Sequence, residues 1–180
     1  MSQKMRCFVA LDLPGALKEE IKLVQAELKE QNLFIGKFIE PDQLHITLKF
    51  FGSVTPTDAE KLRKALKTVK QKAFTASLSG FGVFSEEFVR IIWAELHGVD
   101  ELQRAVDAAV SGMFKNEERF MSHITLARVK STKEKEKLIN AVKKLKSNLF
   151  SVPIKSFSLM ESTLTPEGSI YKVIEKYSLS

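Results

Sequence analysis

Apolar positions along the chain follow two periods, and the same succession of periods occurs twice. The runs RCFVALDL from Arg6 and RIIWAELH from Arg90 are rich in strand-forming residues. Behind the first, Leu17, Ile21, Val24 and Leu28 recur at helical spacing, and behind the second Leu102, Val106, Val110 and Met113 do the same. Next come two near-identical hexapeptides, HITLKF from His45 to Phe50 and HITLAR from His123 to Arg128, whose composition suits strands. A helix follows each. Thr57 with Glu60 and Ser131 with Glu134 fit the capping-box pattern, and the apolar stripes are Leu62, Leu66 and Val69 in one and Leu138, Val142, Leu145 and Leu149 in the other. FTASLSGFGVF, Phe74 to Phe84, then aligns without a gap on FSVPIKSFSLM, Phe150 to Met160. VRIIWAEL closes the first half while opening the second, and SIYKVIEKYSL is the last predicted strand.

Each half therefore reads strand, helix, strand, helix, strand. Units this long exceed a solenoid repeat, so the expected fold is α/β, built as two lobes about an approximate two-fold axis with a ligand cleft between them. At 180 residues, with no linker-like tract, residues 1–180 are expected to form one domain.

Composition narrows the partners. The formal charge is +6, and the isoelectric point near 9.3 favours an anionic ligand, nucleic acid first among them. No apolar run approaches the length of a membrane span, and MSQKMRCFVALDLP reaches Asp12 and Pro14 too early for a secretory signal. Cys7 is the single cysteine, so no disulfide within the chain is expected and a cytoplasmic setting fits.

Strand alternation places the chemistry. His45, Thr47 and Lys49 fall on one face, and Ile46, Leu48 and Phe50 on the other, toward a core; in the second copy His123 and Thr125 oppose Ile124 and Leu126. Each half thus offers an imidazole and a hydroxyl about 7 Å apart along the strand. Two histidines facing one substrate can take a proton from an attacking oxygen and give one to a leaving oxygen, while threonine hydroxyls stabilise charge on the other phosphate oxygens. That machinery needs no metal and no other cofactor, and a 2′,3′-cyclic phosphate suits it because the leaving oxygen is already held in place. Lys49, on the same face, is a candidate for contacting RNA phosphate.

A paired His-x-Thr motif of this kind resembles the 2H phosphoesterases, in particular the RNA 2′,3′-cyclic phosphodiesterases, also called 2′-5′ RNA ligases. The resemblance covers nearly the whole chain. Besides HITLKFFG and SHITLAR, RCFVALDLP is similar to the family's N-terminal strand and ESTLTPEGSIY to the segment before its last strand. It implies a bilobal α+β fold with a largely antiparallel sheet in each lobe, helices outside and the cleft between. It also implies hydrolysis of cyclic phosphate ends to 2′-phosphates without metal, with ligation as the reverse activity and RNA ends, including tRNA-derived ones, as partners. Carried over, His45 and His123 become the acid/base pair, and Thr47, Thr125 and Arg128 the phosphate-binding groups. Alternation puts Arg128 with Ile124 and Leu126, so a bulge or the strand's end must turn it to the cleft. Phe8 and Tyr171 belong to family-like segments and are candidates for base stacking or for core packing. Phe51 stands where the family commonly has leucine.

Other readings remain. The same fold could act on small cyclic nucleotides or an ADP-ribose cyclic phosphate, and a non-catalytic RNA-binding module would also explain the charge. A metal site lacks partners at ligand spacing. His97 is expected at the surface, the lysines of the two later helices on solvated faces, and a monomer suffices to form the cleft.

Overall fold

The computed structural model describes residues 4–148 and 151–180. Among these, the strands are β1 (Met5–Leu11), β2 (Ile35–Phe38), β3 (Ile46–Val54), β4 (Phe74–Val83), β5 (Ile91–His97), β6 (His123–Ser131), β7 (Ser151–Ile154), β8 (Ser156–Thr165) and β9 (Gly168–Ser178). The helices are α1 (Gly15–Glu30), α2 (Pro56–Leu66), α3 (Asp100–Val110) and α4 (Lys135–Lys144). All strand pairs are antiparallel, in two sheets ordered β3-β1-β8-β9 and β2-β6-β5-β4-β7.

The hexapeptide strands β3 and β6 stand in matching places, each beside the opening strand of its half. The third strands do not stay with their halves. β4 turns back and pairs with β5, whereas β8 crosses to pair with β1, so each sheet is built from both halves of the chain. The segment aligned on β4 divides accordingly: 151–154 forms β7, on the edge beside β4 where Pro153 costs no interior ladder bond, and 156–165 forms β8. Leu149 and Phe150 lie outside the described residues. β2, an edge strand beside β6, carries no alternation that marks it in the sequence.

Helix starts differ in detail from the capping-box pattern. Thr55, not Thr57, caps α2: its Oγ accepts the Asp58 amide at 3.1 Å, and Pro56 fills the first helical position, where a missing N–H is harmless. Ser131 remains paired with Ile35 in the ladder, and Thr132 accepts the Glu134 amide at 3.1 Å before α4. The stripes of α1 and α3 are buried as spaced, except that α3 ends at Val110 and leaves Met113 exposed. Several cations of α2 and α4 meet carboxylates, among them Arg63 with Glu60 and Lys137 with Glu134.

Candidate active site

The two hexapeptides depart from regular pleating at the same place. In β3, Thr47 and Lys49 oppose the consecutive residues Ala10 and Val9, leaving Leu48 as the extra residue; in β6, Thr125 and Ala127 oppose Trp93 and Ile92, leaving Leu126. A bulge of this kind inverts the faces beyond it. The fifth position therefore turns inward and the sixth turns to the cleft.

Arg128 reaches the cleft by this device. Lys49 does not: it is 5 % exposed, ion-paired with Asp107 of α3, and donates to the Lys115 carbonyl at 2.7 Å. Its expected contact with RNA phosphate is corrected to a buried tie between β3, α3 and the segment after α3. Phe50, expected in the core, is corrected in the opposite sense and is 51 % exposed on the cleft wall. Around the second bulge, the Leu126 carbonyl accepts Gln25 Nε2 of α1 at 2.9 Å and the Ile39 amide at 2.9 Å. Each bulge is thus held by groups from outside its own strand.

β3 and β6 approach within 8 Å, Cα to Cα, across the cleft. His45 Nδ1 donates to the Gln43 carbonyl at 2.7 Å and His123 Nδ1 to the Met121 carbonyl at 2.9 Å. A carbonyl only accepts, so both rings carry the proton on Nδ1 and offer Nε2 to a substrate. The pairing is the same in both copies, two residues back along the chain. His45 packs against Phe8 and edge-on to Tyr171, with centroids 5.2 and 5.0 Å away. His123 meets the Phe84 ring edge-on at 4.8 Å. Burial pushes the His45 pKa below its ordinary value; the Gln43 carbonyl opposes this, and the charges of His123, Arg128 and Lys18 add to the lowering.

A cavity of about 380 Å³ opens on the His45 side, lined by His45, Thr47, Thr125 and Arg128 together with Arg6, Phe50 and Tyr171 among others. His123 stands beyond this cavity, beside Phe84. Phe8 is 2 % exposed and shows the cleft only part of its ring, so its main role is packing under His45 and Phe50. The cavity's roof is the β8–β9 turn, tied down by Lys37 Nζ to the Glu167 carbonyl at 2.9 Å and Gln43 Nε2 to the Ser169 carbonyl at 3.2 Å. Arg6, Lys37, Gln43 and Phe50 were not singled out by the motif; comparing the sixth hexapeptide positions, where Arg128 must face the cleft, is the signal that finds Phe50. His97 is at the surface, 3.3 Å from Glu95. Among the described residues no cluster of three or more His, Cys, Asp or Glu side chains is arranged to hold a metal ion, and no helix is long and apolar enough to cross a membrane.

The LigT like Phosphoesterase family matches residues 11–93 and again 95–171. The chain belongs to this family. The double match covers both hexapeptides. Among LigT-like relatives, the RNA 2′,3′-cyclic phosphodiesterase of Methanocaldococcus jannaschii is 35 % identical over 96 % of this chain and 100 % of its own. The protein of the same description from Methanothermobacter thermautotrophicus is 32 % identical over 98 % and 100 %. The crystal structure of TT0787 of Thermus thermophilus superposes with a TM-score of 0.78 at 28 % identity, covering 97 % of this chain and 98 % of that one. The two-sheet architecture is thus the LigT-like phosphoesterase fold, and the chain is a phosphoesterase.

Proposed function

We propose that this phosphoesterase opens RNA 2′,3′-cyclic phosphate ends to 2′-phosphomonoesters by acid/base catalysis from His45 and His123. The observation that carries the reading is the duplicated imidazole arrangement, with Nδ1 of each ring fixed on a backbone carbonyl and Nε2 left for the substrate. Relatives named RNA 2′,3′-cyclic phosphodiesterase support the substrate class.

The position of the cavity supports one assignment of sides. A nucleoside seated in it lies next to His45, so the 3′-oxygen that leaves is on that side and water attacks phosphorus in line from the side of His123. His123 takes a proton from the water as the new P–O bond forms. The P–O3′ bond breaks as His45 delivers its proton to O3′. Thr47, Thr125 and Arg128 hold the non-bridging oxygens, where charge accumulates. Burial disfavours the His45 imidazolium, and the substrate's phosphate anion supplies the opposite charge that restores it. A 5′-hydroxyl in place of water would give 2′-5′ ligation by the same steps. We read residues 1–180 as one two-lobed domain acting as a monomer, since each half lends strands to the other's sheet, and as a cytoplasmic enzyme, since the lone Cys7 needs no oxidising compartment.

The test is a short RNA with a cyclic phosphate end, incubated in excess EDTA with the native protein, His45→Ala or His123→Ala, with 2′- and 3′-phosphate products resolved. The native protein gives 2′-phosphate, and each variant loses roughly two to four orders of magnitude in turnover. Ring opening that either variant retains in full would sink the two-histidine mechanism.

A further inference from the structure

Beyond the Leu48 bulge, Lys49 and Phe51 point inward, and both meet the segment that joins α3 to β6. Lys49 pairs with Asp107 of α3 and donates to the Lys115 carbonyl at 2.7 Å, while Asp107 accepts the Glu117 amide at 2.7 Å. Phe51 packs on Phe114 with ring centroids 4.7 Å apart. Among the described residues, Lys49, Asp107 and the His123 ring are the only groups from outside the stretch 115–121 that hydrogen-bond its backbone. The stretch has no strand or helix of its own, so these contacts set its course.

A buried ion pair adds little net stability over apolar packing of the same volume. What this one supplies is direction. A donor and an acceptor at fixed points hold one carbonyl and one amide of the segment in place, which apolar contact, having no direction, does not do. Further along, the same segment presents the Met121 carbonyl that accepts from His123 Nδ1 at 2.9 Å. Without that carbonyl a neutral imidazole can carry its proton on either nitrogen. We infer that Lys49 and Asp107 are positioning residues for His123: they hold the segment that presents the Met121 carbonyl, and so keep Nε2 of that ring unprotonated and aimed at the cleft. Neither touches the substrate. His45 takes its carbonyl from Gln43, outside this segment, and does not depend on the pair. The inference rests on the two-histidine reading and adds to it the part of the fold that readies one of the two rings.

Two variants test this. Lys49→Met/Asp107→Leu removes both charges at similar volume, and Phe114→Ala loosens the neighbouring contact while leaving the ion pair; each is checked by circular dichroism and urea denaturation. On an RNA with a cyclic phosphate end, the double variant loses about 10²-fold in kcat, the cost of a misplaced catalytic group, with KM near native, and Phe114→Ala loses less in the same sense. NMR spectra of the imidazole nitrogens, recorded without substrate at a pH where both rings are neutral, report which nitrogen carries the proton. In the native protein His45 and His123 are both protonated on Nδ1. In the double variant His123 populates both tautomers while His45 is unchanged; if that variant does not fold, Phe114→Ala carries the same comparison. A pair with a merely structural role would lower stability and leave both rings as they are. An unaltered His123, an equal change at His45, or native kcat overturns the inference. Failure of the native protein to open a cyclic phosphate overturns the two-histidine reading instead, whatever the tautomers.

Discussion

Phe50 and Arg128 hold the same position in the two hexapeptides, and a bulge centred on a leucine turns each of them into the cleft. One site is therefore lined by an aromatic ring from one copy and a guanidinium from the other, on a backbone that is otherwise duplicated. On the proposed reading, the asymmetry gives the cleft a nucleoside side and a phosphate grip.

On the proposed mechanism Arg128 carries the phosphate grip, because its planar fork can donate two hydrogen bonds to the non-bridging oxygens. Arg128→Ala should reduce kcat/KM on a cyclic phosphate substrate by roughly 10²- to 10³-fold, the cost of losing one transition-state donor. Arg128→Lys should recover only part of it, since an ammonium cannot reproduce the fork. Steady-state kinetics on the three proteins decide this; full recovery by lysine would reduce the role to charge alone.

Lys49 and Asp107 form a buried pair that also gathers the Lys115 carbonyl and the Glu117 amide, the latter at 2.7 Å from Asp107. Removing one partner strands the other charge. Asp107→Ala should lower unfolding free energy by about 3–5 kcal/mol, read from urea denaturation. Replacing both residues with apolar ones of similar volume should return much of that loss.

His45 links stability to pH with a definite sign. Its folded pKa is lowered by burial, so the unfolded chain, with an imidazole pKa of about 6.5, binds the proton more readily. The stabilisation is present in full above pH 6.5 and is lost as pH falls from there through the folded value. His45→Gln should abolish that part of the acid limb in denaturation measured between neutral and mildly acidic pH. NMR titration of the free protein should place His45 below the ordinary histidine value, and inorganic phosphate should move it upward.

Lys37 and Gln43 fasten the β8–β9 turn over the cavity through two side-chain to backbone bonds. Lys37→Ala removes one, worth about 0.5–1.5 kcal/mol. Amide exchange at residues 165–170 should quicken several-fold while the core of β8 is unaffected. Unchanged exchange at the turn would show that the fastening is immaterial.

The hexapeptide's first three positions were legible because His, Ile and Thr precede the bulge, where strict alternation still applies. Beyond Leu48 it fails: two buried positions in succession require an unpaired residue, and an apolar Phe50 gives no hint that it faces water. Lys49 misled for the complementary reason, since its partner Asp107 lies 58 residues away on a helix. Arg128 escaped this error only because the family resemblance, and not alternation, assigned it to the cleft. The strand-helix order was readable from periodicity, but which sheet β4 or β8 joins was not, because alternation records a buried face and not the neighbour along the ladder. The α2 cap went to Thr55 because Thr55-Pro56-Thr57 offers two hydroxyls, and the proline selects the earlier one.

The crossing of β8 to the strand of the opposite half has a consequence for any attempt to divide the molecule. A cut in the segment between β4 and β5 separates the two histidines in sequence but gives no self-sufficient half. The first fragment would hold β1 and β3 without β8, and the second would hold β5 and β6 without β4. Each would expose open sheet edges that only the other covers. The two pieces should therefore behave as obligate complements that regain activity on mixing, in the manner of a split reporter, and stay inert apart.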